Sequence, residues 1–295
     1  MRPNSYISFF IKLTLVFTVA ASCSSIVAAQ DKAADKAVAK EKKYREFCSN
    51  DSYNSDRAGF RELREMTVPA SGNLTVGGGR NGGIRVRGEN RSDVLVRACV
   101  QTWAETDADA KALASSVRIS SGSEIRAEGP EQRENNNWGV SFEILTPRNT
   151  NLDLSTTNGG ISISTVDGRI QFATTNGGVS LSEVGGEVKG RTTNGGIKVD
   201  LAGATWKGTG VDVQTTNGGI NLSMPQNYGA NIEVSTTNGG FRSDIPGIQP
   251  EKKADHDYSR ATRVNTSLNG GGALIRLVTT NGGVTINSTD RRASY

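Results

Sequence analysis

The pentapeptide Thr-Thr-Asn-Gly-Gly occurs six times in this chain, at Asn158, Asn176, Asn194, Asn217, Asn238 and Asn281. The intervals are 18, 18, 23, 21 and 43 residues, the last read as about two units. A fixed word at such a period marks units that stack, because a single unit of this length cannot bury an apolar face by itself. A weaker copy, Arg80-Asn81-Gly82-Gly83, lies far upstream and is followed by Ile84 and Val86.

The flanks of the word keep phase with its asparagine. Six and four residues before it stand pairs such as Leu152/Leu154, Ile170/Phe172 and Val211/Val213; three and five residues after it stand Ile161/Ile163, Val179/Leu181 and Ile220/Leu222. Alternation on both sides predicts a strand with one buried face, a turn, and a second such strand. Gly190 and Ser243 interrupt the inward pattern. Asn-Gly is expected to form the turn through positive φ, which β-branched residues resist. The fold class is thus all-β. Two architectures fit: a β-solenoid, resembling a β-helix, in which equivalent turns stack, and an antiparallel meander or sandwich with second turns at Asp167-Gly168 or Gly185-Gly186. Repetition of the whole Thr-Thr-Asn word favours the solenoid, since a hairpin needs only Asn-Gly whereas stacked coils reward identical neighbours through Thr and Asn ladders.

Outside the repeat region, residues 149–289, three segments differ in character. Residues 1–29 carry Arg2 and Lys12, an apolar stretch from Leu13 to Ala21, and small residues to Ala29. These are the parts of a secretory signal peptide, and the apolar stretch falls short of the ~20 residues a membrane-spanning helix needs. Cleavage after Ala29 is the preferred reading; Ala20-Ala21-Ser22-Cys23 resembles a lipobox that would instead lipidate Cys23. Residues 30–45 read as a charged, solvated tether. Residues 46–148 read as irregular β structure with one short helix from about Asp107 to Ser115, opened by a cap-like Thr106 and Asp109.

With 35 glycines and 6% aromatics, the composition suits turns and thin strands. The formal charge of +4 falls to +2 once the two basic residues of the signal are removed, and no basic stripe with interleaved aromatics points to nucleic acid. An exported chain with two cysteines beyond the signal, Cys48 and Cys99, is expected to join them in one disulfide; the other reading is a surface Cys48 and an inert, buried Cys99.

The Thr-Thr-Asn-Gly-Gly units, with Arg80 to Val86 and Leu95-Val96-Arg97 upstream, resemble the bacterial "putative adhesin" domain family, a group of unknown function, across most of residues 60–287. The resemblance implies an envelope or surface location and an adhesive role, and it brings no catalytic motif.

Chemistry is sparse by the same reading. His256 sits in a charged insertion, no spacing suggests zinc, and the Gly-Gly pairs precede strands instead of the helix a phosphate loop requires. No cofactor, metal or catalytic residue is expected, and the chain is read as no enzyme. Five residues before each asparagine an outward column runs through Asp153, Gln171, Lys189, Asp212, Glu233 and Arg276. With Asp212 and Glu233 expected to adjoin, this is either a solvated face or a carboxylate pair that binds a cation or serves a polysaccharide-cleaving enzyme. Ser162, Ser164, Ser180, Ser182, Asn221 and Ser223 are expected on a second, flat polar face. Three functions follow: an exported, periplasmic or surface module binding a glycan, protein or surface; an envelope stress or sensing accessory; and a carbohydrate-active β-helix enzyme. Membrane contact would come only through a lipid on Cys23.

Overall fold

A computed structural model describes residues 47–48, 57–122, 124–133, 135–251 and 261–290. The signal-like start, the tether, Cys23 and His256 lie outside them. Within residues 53–295, which form one unit, seven strands precede the repeats: β1 (Ala58–Pro69), β2 (Asn73–Gly77), β3 (Ile84–Glu89), β4 (Asp93–Ala104), β5 (Arg118–Ser121), β6 (Ile125–Glu128) and β7 (Asn137–Pro147). Helix α1 (Asp107–Ser116) is capped by Thr106, whose hydroxyl accepts from the Asp109 backbone N–H at 3.1 Å.

The repeats alternate between two sheets. On one side run β8 (Asn151–Thr156), β10 (Asp167–Asn176), β12 (Gly185–Asn194), β14 (Gly210–Asn217) and β16 (Ala230–Thr236); on the other run β9 (Ile161–Ser164), β11 (Val179–Ser182), β13 (Ile197–Asp200), β15 (Ile220–Met224) and β17 (Phe241–Ser243). Strands β18 (Thr262–Leu268), β19 (Leu274–Asn281) and β20 (Val284–Ser288) complete the chain. The sheet orders are β1-β4-β7-β3-β9-β11-β13-β15-β20-β17 and β18-β16-β19-β14-β12-β10-β8-β2-β6-β5. Coil-to-coil pairing is parallel and in register, which makes the architecture solenoid-like and excludes the meander. Antiparallel pairs occur toward the ends, where β1, β4 and β7 continue one sheet, β5 pairs with β6, and β18 pairs with β16.

The core follows from the phase of the word. One sheet buries Leu152, Ile170, Val188, Val211, Ile275 and Ile232 in a single column, and the facing sheet buries Ile84, Ile161, Val179, Ile197, Ile220 and Val284. Where Gly190 interrupts the inward pattern, the Phe172 ring of the next coil occupies the space: a Cβ on Gly190 would lie 2.4 Å from three ring atoms. The five residues that stretch the interval from 18 to 23 fall in the loop after β13, where Trp206 is buried and donates its Nε1–H to the Gly186 carbonyl at 2.9 Å.

The 43-residue interval is not two coils in succession. After β15 the chain skips one position to lay down β16 and β17, reverses through antiparallel β18, and returns to fill the gap with β19 and β20. The return needs a tight turn of four left-handed residues, Asn269 to Gly272, with φ of 49°, 89°, 83° and 147°. Asn269 fits it because its side chain also ties the turn down, donating to the Gln226 and Tyr228 carbonyls at 3.0 Å each.

Cys99 lies in β4, fully buried, and both Cys99 and Cys48 are disulfide-bonded. The pairing expected from the sequence, Cys48 with Cys99, would close a loop of about 50 residues and contribute about 3–4 kcal/mol in the chain-entropy model. Thiol titration of the denatured, unreduced mature chain is expected to find neither group free; two reactive thiols would remove the cross-link from the account.

Candidate functional site

The corner made by the repeated word is held in three ways. Asparagine side chains bond up the stack: Asn158 donates to Asn81 at 3.0 Å, Asn176 to Asn158 at 2.7 Å, Asn194 to Asn176 at 2.7 Å and Asn217 to Asn194 at 2.8 Å. Asn281 then donates to Asn217 at 2.8 Å, and Asn238 to Asn281 at 3.0 Å. The weak upstream copy at Asn81 is therefore a true rung, and the order of the last two rungs records the chain's backtracking. The first threonine of each word turns inward and bonds to a glycine carbonyl, that of the neighbouring coil for Thr174, Thr192 and Thr215 at 2.8–2.9 Å. The first glycine of each word packs against the next coil's backbone, so that a Cβ on Gly177, Gly195 or Gly218 would stand 2.0–2.1 Å from a carbonyl oxygen.

None of the glycines in the six words has positive φ. The expectation of a left-handed Asn-Gly turn is thus corrected. Close stacking selects these glycines. Left-handed residues occur at the opposite corner, at Thr165 (φ 59°) and Glu183 (φ 51°).

The outward column five residues before the asparagine also differs from expectation. Lys189 lies between Gln171 and Asp212 as expected, but Asp212 and Glu233 do not adjoin, because β19 places Arg276 between them. Arg276 reaches Glu233 at 3.1 Å and Asp212 at 3.1 Å. Its guanidinium is held more firmly protonated by the Glu233 hydrogen bond; partial burial opposes this and Asp212 adds to it. Lys189 is likewise raised by its hydrogen bond to Glu187 at 2.5 Å, and Glu187 is lowered by the same contact. These carboxylates are spoken for by cations, and among the described residues no three His, Cys, Asp or Glu side chains gather as a metal site would require. On the facing sheet Ser162, Ser164, Ser180 and Ser182 are half-buried and Asn221 is exposed, but Ser223 is buried, at 6% exposure, although its place in the pleat points it away from the core.

A concave surface was not legible in the sequence. A groove of about 710 Å³ crosses the outer face of the first sheet, from Gly77 and Gly79 to Val278 and Thr280. Counting β6, where Arg126 lies, it spans seven strands, or about 29 Å at the usual strand spacing. Along one side it presents the second threonine of successive words, Thr157, Thr175, Thr193, Thr216 and Thr280, all exposed. Along the other lie Ser155, Ala173, Arg191 and Gln214. At one end Arg126 pairs with Glu128 at 2.7 Å and Glu124 at 3.4 Å. Arg191, near the middle, is exposed and has no acidic partner among the described residues. The repeat supplied one usable signal: the word contains two threonines, and strand alternation requires that only one of them face inward.

Residues 148–287 match the model of a family described as Toastrack DUF4097. No curated protein matches the chain significantly. Among solved structures, the chain resembles a "putative cell adhesion protein" of Clostridium sporogenes at 11% identity, covering 78% of this chain and 100% of that one, with a TM-score of 0.41. A "putative adhesin" of Bacteroides fragilis is 10% identical over 78% of this chain and 97% of its own, with a TM-score of 0.40. A "putative lipid binding protein" of Parabacteroides distasonis is 9% identical over 78% and 96%, with a TM-score of 0.29. Likenesses of this size say nothing of ligand or activity. Among the described residues no helix is long and apolar enough to cross a membrane.

Proposed function

Taking residues 148–287 as a Toastrack domain of the DUF4097 family, we propose that the chain is an exported, non-catalytic envelope module that binds an extended, hydroxyl-rich glycan along its threonine groove. The observation that carries this reading is the groove itself, with its uninterrupted row of threonine hydroxyls at one per strand. A polymer of repeating sugar units offers hydroxyls at a comparable interval, so that successive rungs meet successive units. The groove lies on a sheet face whose backbone groups are already paired between coils, which leaves no strand edge there for an added peptide. Arg191 supplies one planar, charged donor, suited to an acidic substituent on the chain. The absence of aromatics from the lining points to modest affinity per site, compatible with an adhesive role that depends on many contacts.

The test compares the mature wild-type chain with a Thr175→Val/Thr193→Val/Thr216→Val variant on a glycan array, followed by titration of the strongest binder. These hydroxyls face outward and valine suits a strand, so the variant should unfold at the same urea concentration as the wild type. Losing three hydrogen bonds of ordinary net worth is expected to weaken binding about 100-fold. Unchanged affinity would move the site off the groove, and an array with no binder would remove the glycan.

A further inference from the structure

Asn-Gly is the dipeptide whose asparagine is most open to attack by the following backbone nitrogen, because glycine places no side chain in the way and its backbone turns freely. Seven of the chain's eight Asn-Gly dipeptides stand in one stack, and they differ in how firmly they are restrained. Asn176, Asn194 and Asn217 are held most firmly. Each side chain donates to one neighbour and accepts from another, and the N–H that would attack is itself donated: Gly177 to the Asn194 carbonyl, Gly195 to that of Asn217 and Gly218 to that of Asn281, at 3.1 Å each. Asn158 and Asn281 have both side-chain bonds, but Gly159 and Gly282 donate their N–H to no partner among the described residues.

The two ends of the ladder differ from each other. Asn81 is half-buried beneath β7: a Cβ on Gly139 would stand 2.2 Å from the Asn81 carbonyl oxygen, and one on Gly82 would stand 2.0 Å from the Val140 carbonyl oxygen. Among the described residues nothing covers Asn238 in this way. It is exposed, β17 is the last strand of its sheet, and a Cβ on Gly240 would meet nothing within 4 Å. Among the described residues its only side-chain bond is the one it donates to Asn281, and the Gly239 N–H has no partner there.

We propose that Asn238 is a site of spontaneous deamidation, the open end from which the asparagine ladder is converted to carboxylates. The Gly239 nitrogen loses its proton to solvent base and attacks Asn238 Cγ. A C–N bond forms, and Nδ2 leaves as ammonia after taking up a proton. Water then opens the resulting succinimide at either carbonyl, giving aspartate or isoaspartate and restoring the Gly239 N–H. The net change consumes one water and releases one ammonia. A carboxylate at position 238 cannot donate to Asn281 Oδ1, so that rung is lost and Asn281 becomes the new end, with the Gly282 N–H already unbonded. Conversion therefore runs inward in spatial order, Asn238 and then Asn281.

The experiment incubates the native mature chain at mildly alkaline pH and follows each Asn-Gly site by peptide mass mapping, with isoaspartyl methyl transfer as a second readout. Asn238 lacks two hydrogen bonds that each interior site keeps, so it is expected to convert about 30-fold faster than Asn176, Asn194 or Asn217. Asn281 should convert second. A parallel sample in urea, where the stack is gone, should show the six Thr-Thr-Asn-Gly-Gly sites converting at similar rates, since their sequence neighbours are the same. Equal rates in the native chain, an interior site converting first, or a native chain in which Asn238 outlasts the others would overturn the proposal.

Discussion

Replacing Gly218 by alanine is expected to destabilise the chain by roughly 3 kcal/mol, the upper end of what overpacking usually costs, although it adds a single methyl group. The new Cβ would stand 2.1 Å from the Gly195 carbonyl oxygen and 2.5 Å from its carbon. Both are backbone atoms inside the stack, so the clash can be relieved only by prising two coils apart. That movement strains the Gly195 N–H bond to the Asn217 carbonyl at 3.1 Å and the Thr215 hydroxyl bond to the Gly195 carbonyl at 2.8 Å. Ile220→Asp should cost at least as much, about 3–5 kcal/mol, because Ile220 is fully buried and the carboxylate would have no partner. Asn221→Thr, one residue along and exposed, should change stability by about 0.5 kcal/mol or less. Urea midpoints at one pH give the ordering, provided the three variants share a slope. A Gly218→Ala chain as stable as the wild type would mean that the coils are not in the close contact described.

That comparison also shows what the sequence could and could not reveal. The inward columns were legible because strand alternation is strict and the word fixes its phase, so Ile220 and Val211 could be placed inside from spacing alone. The reason for the glycines was not. A turn that needs positive φ and a turn that needs bare backbone for close stacking both select Asn-Gly-Gly, and only the φ values separate them. Phase also says where a residue sits within a coil but not which coil lies next to it. Nothing in the word distinguishes the unit at Asn238 from the unit at Asn281, so their exchange, and with it the insertion of Arg276 between Asp212 and Glu233, could not be foreseen. The same limit hid Ser223, whose outward place in the pleat is legible while its cover is not. It hid the groove as well, because alternation tells which threonine faces out and is silent on whether the outer face is flat or hollow.

The sharpest test of coil-to-coil complementarity is the pair Phe172 and Gly190, where a lapse in the hydrophobic pattern on one strand is filled by an oversized residue on the next. Parallel strands lie ~4.8 Å apart, and in most columns medium-sized residues such as Val213 and Leu277 fill that distance from both sides. Here Phe172, 4% exposed, leans over its neighbour, and its ring atoms lie 2.4 Å from where a Gly190 Cβ would be. Phe172→Ala should cost about 3–5 kcal/mol, since the cavity it leaves cannot be closed by a glycine. Gly190→Val should cost about 1–3 kcal/mol, because the ring must be displaced from a packed core. Together they should cost less than the two single changes combined, with a coupling of about 2 kcal/mol, because the valine fills part of the space the ring has left. Restoring a β-branched residue to a strand adds to the recovery. Equilibrium unfolding of the wild type, both single variants and the double variant supplies the full cycle. Strict additivity, within about 0.5 kcal/mol, would mean that Phe172 and Gly190 do not share one space, and the in-register pairing of β10 with β12 would then have to shift.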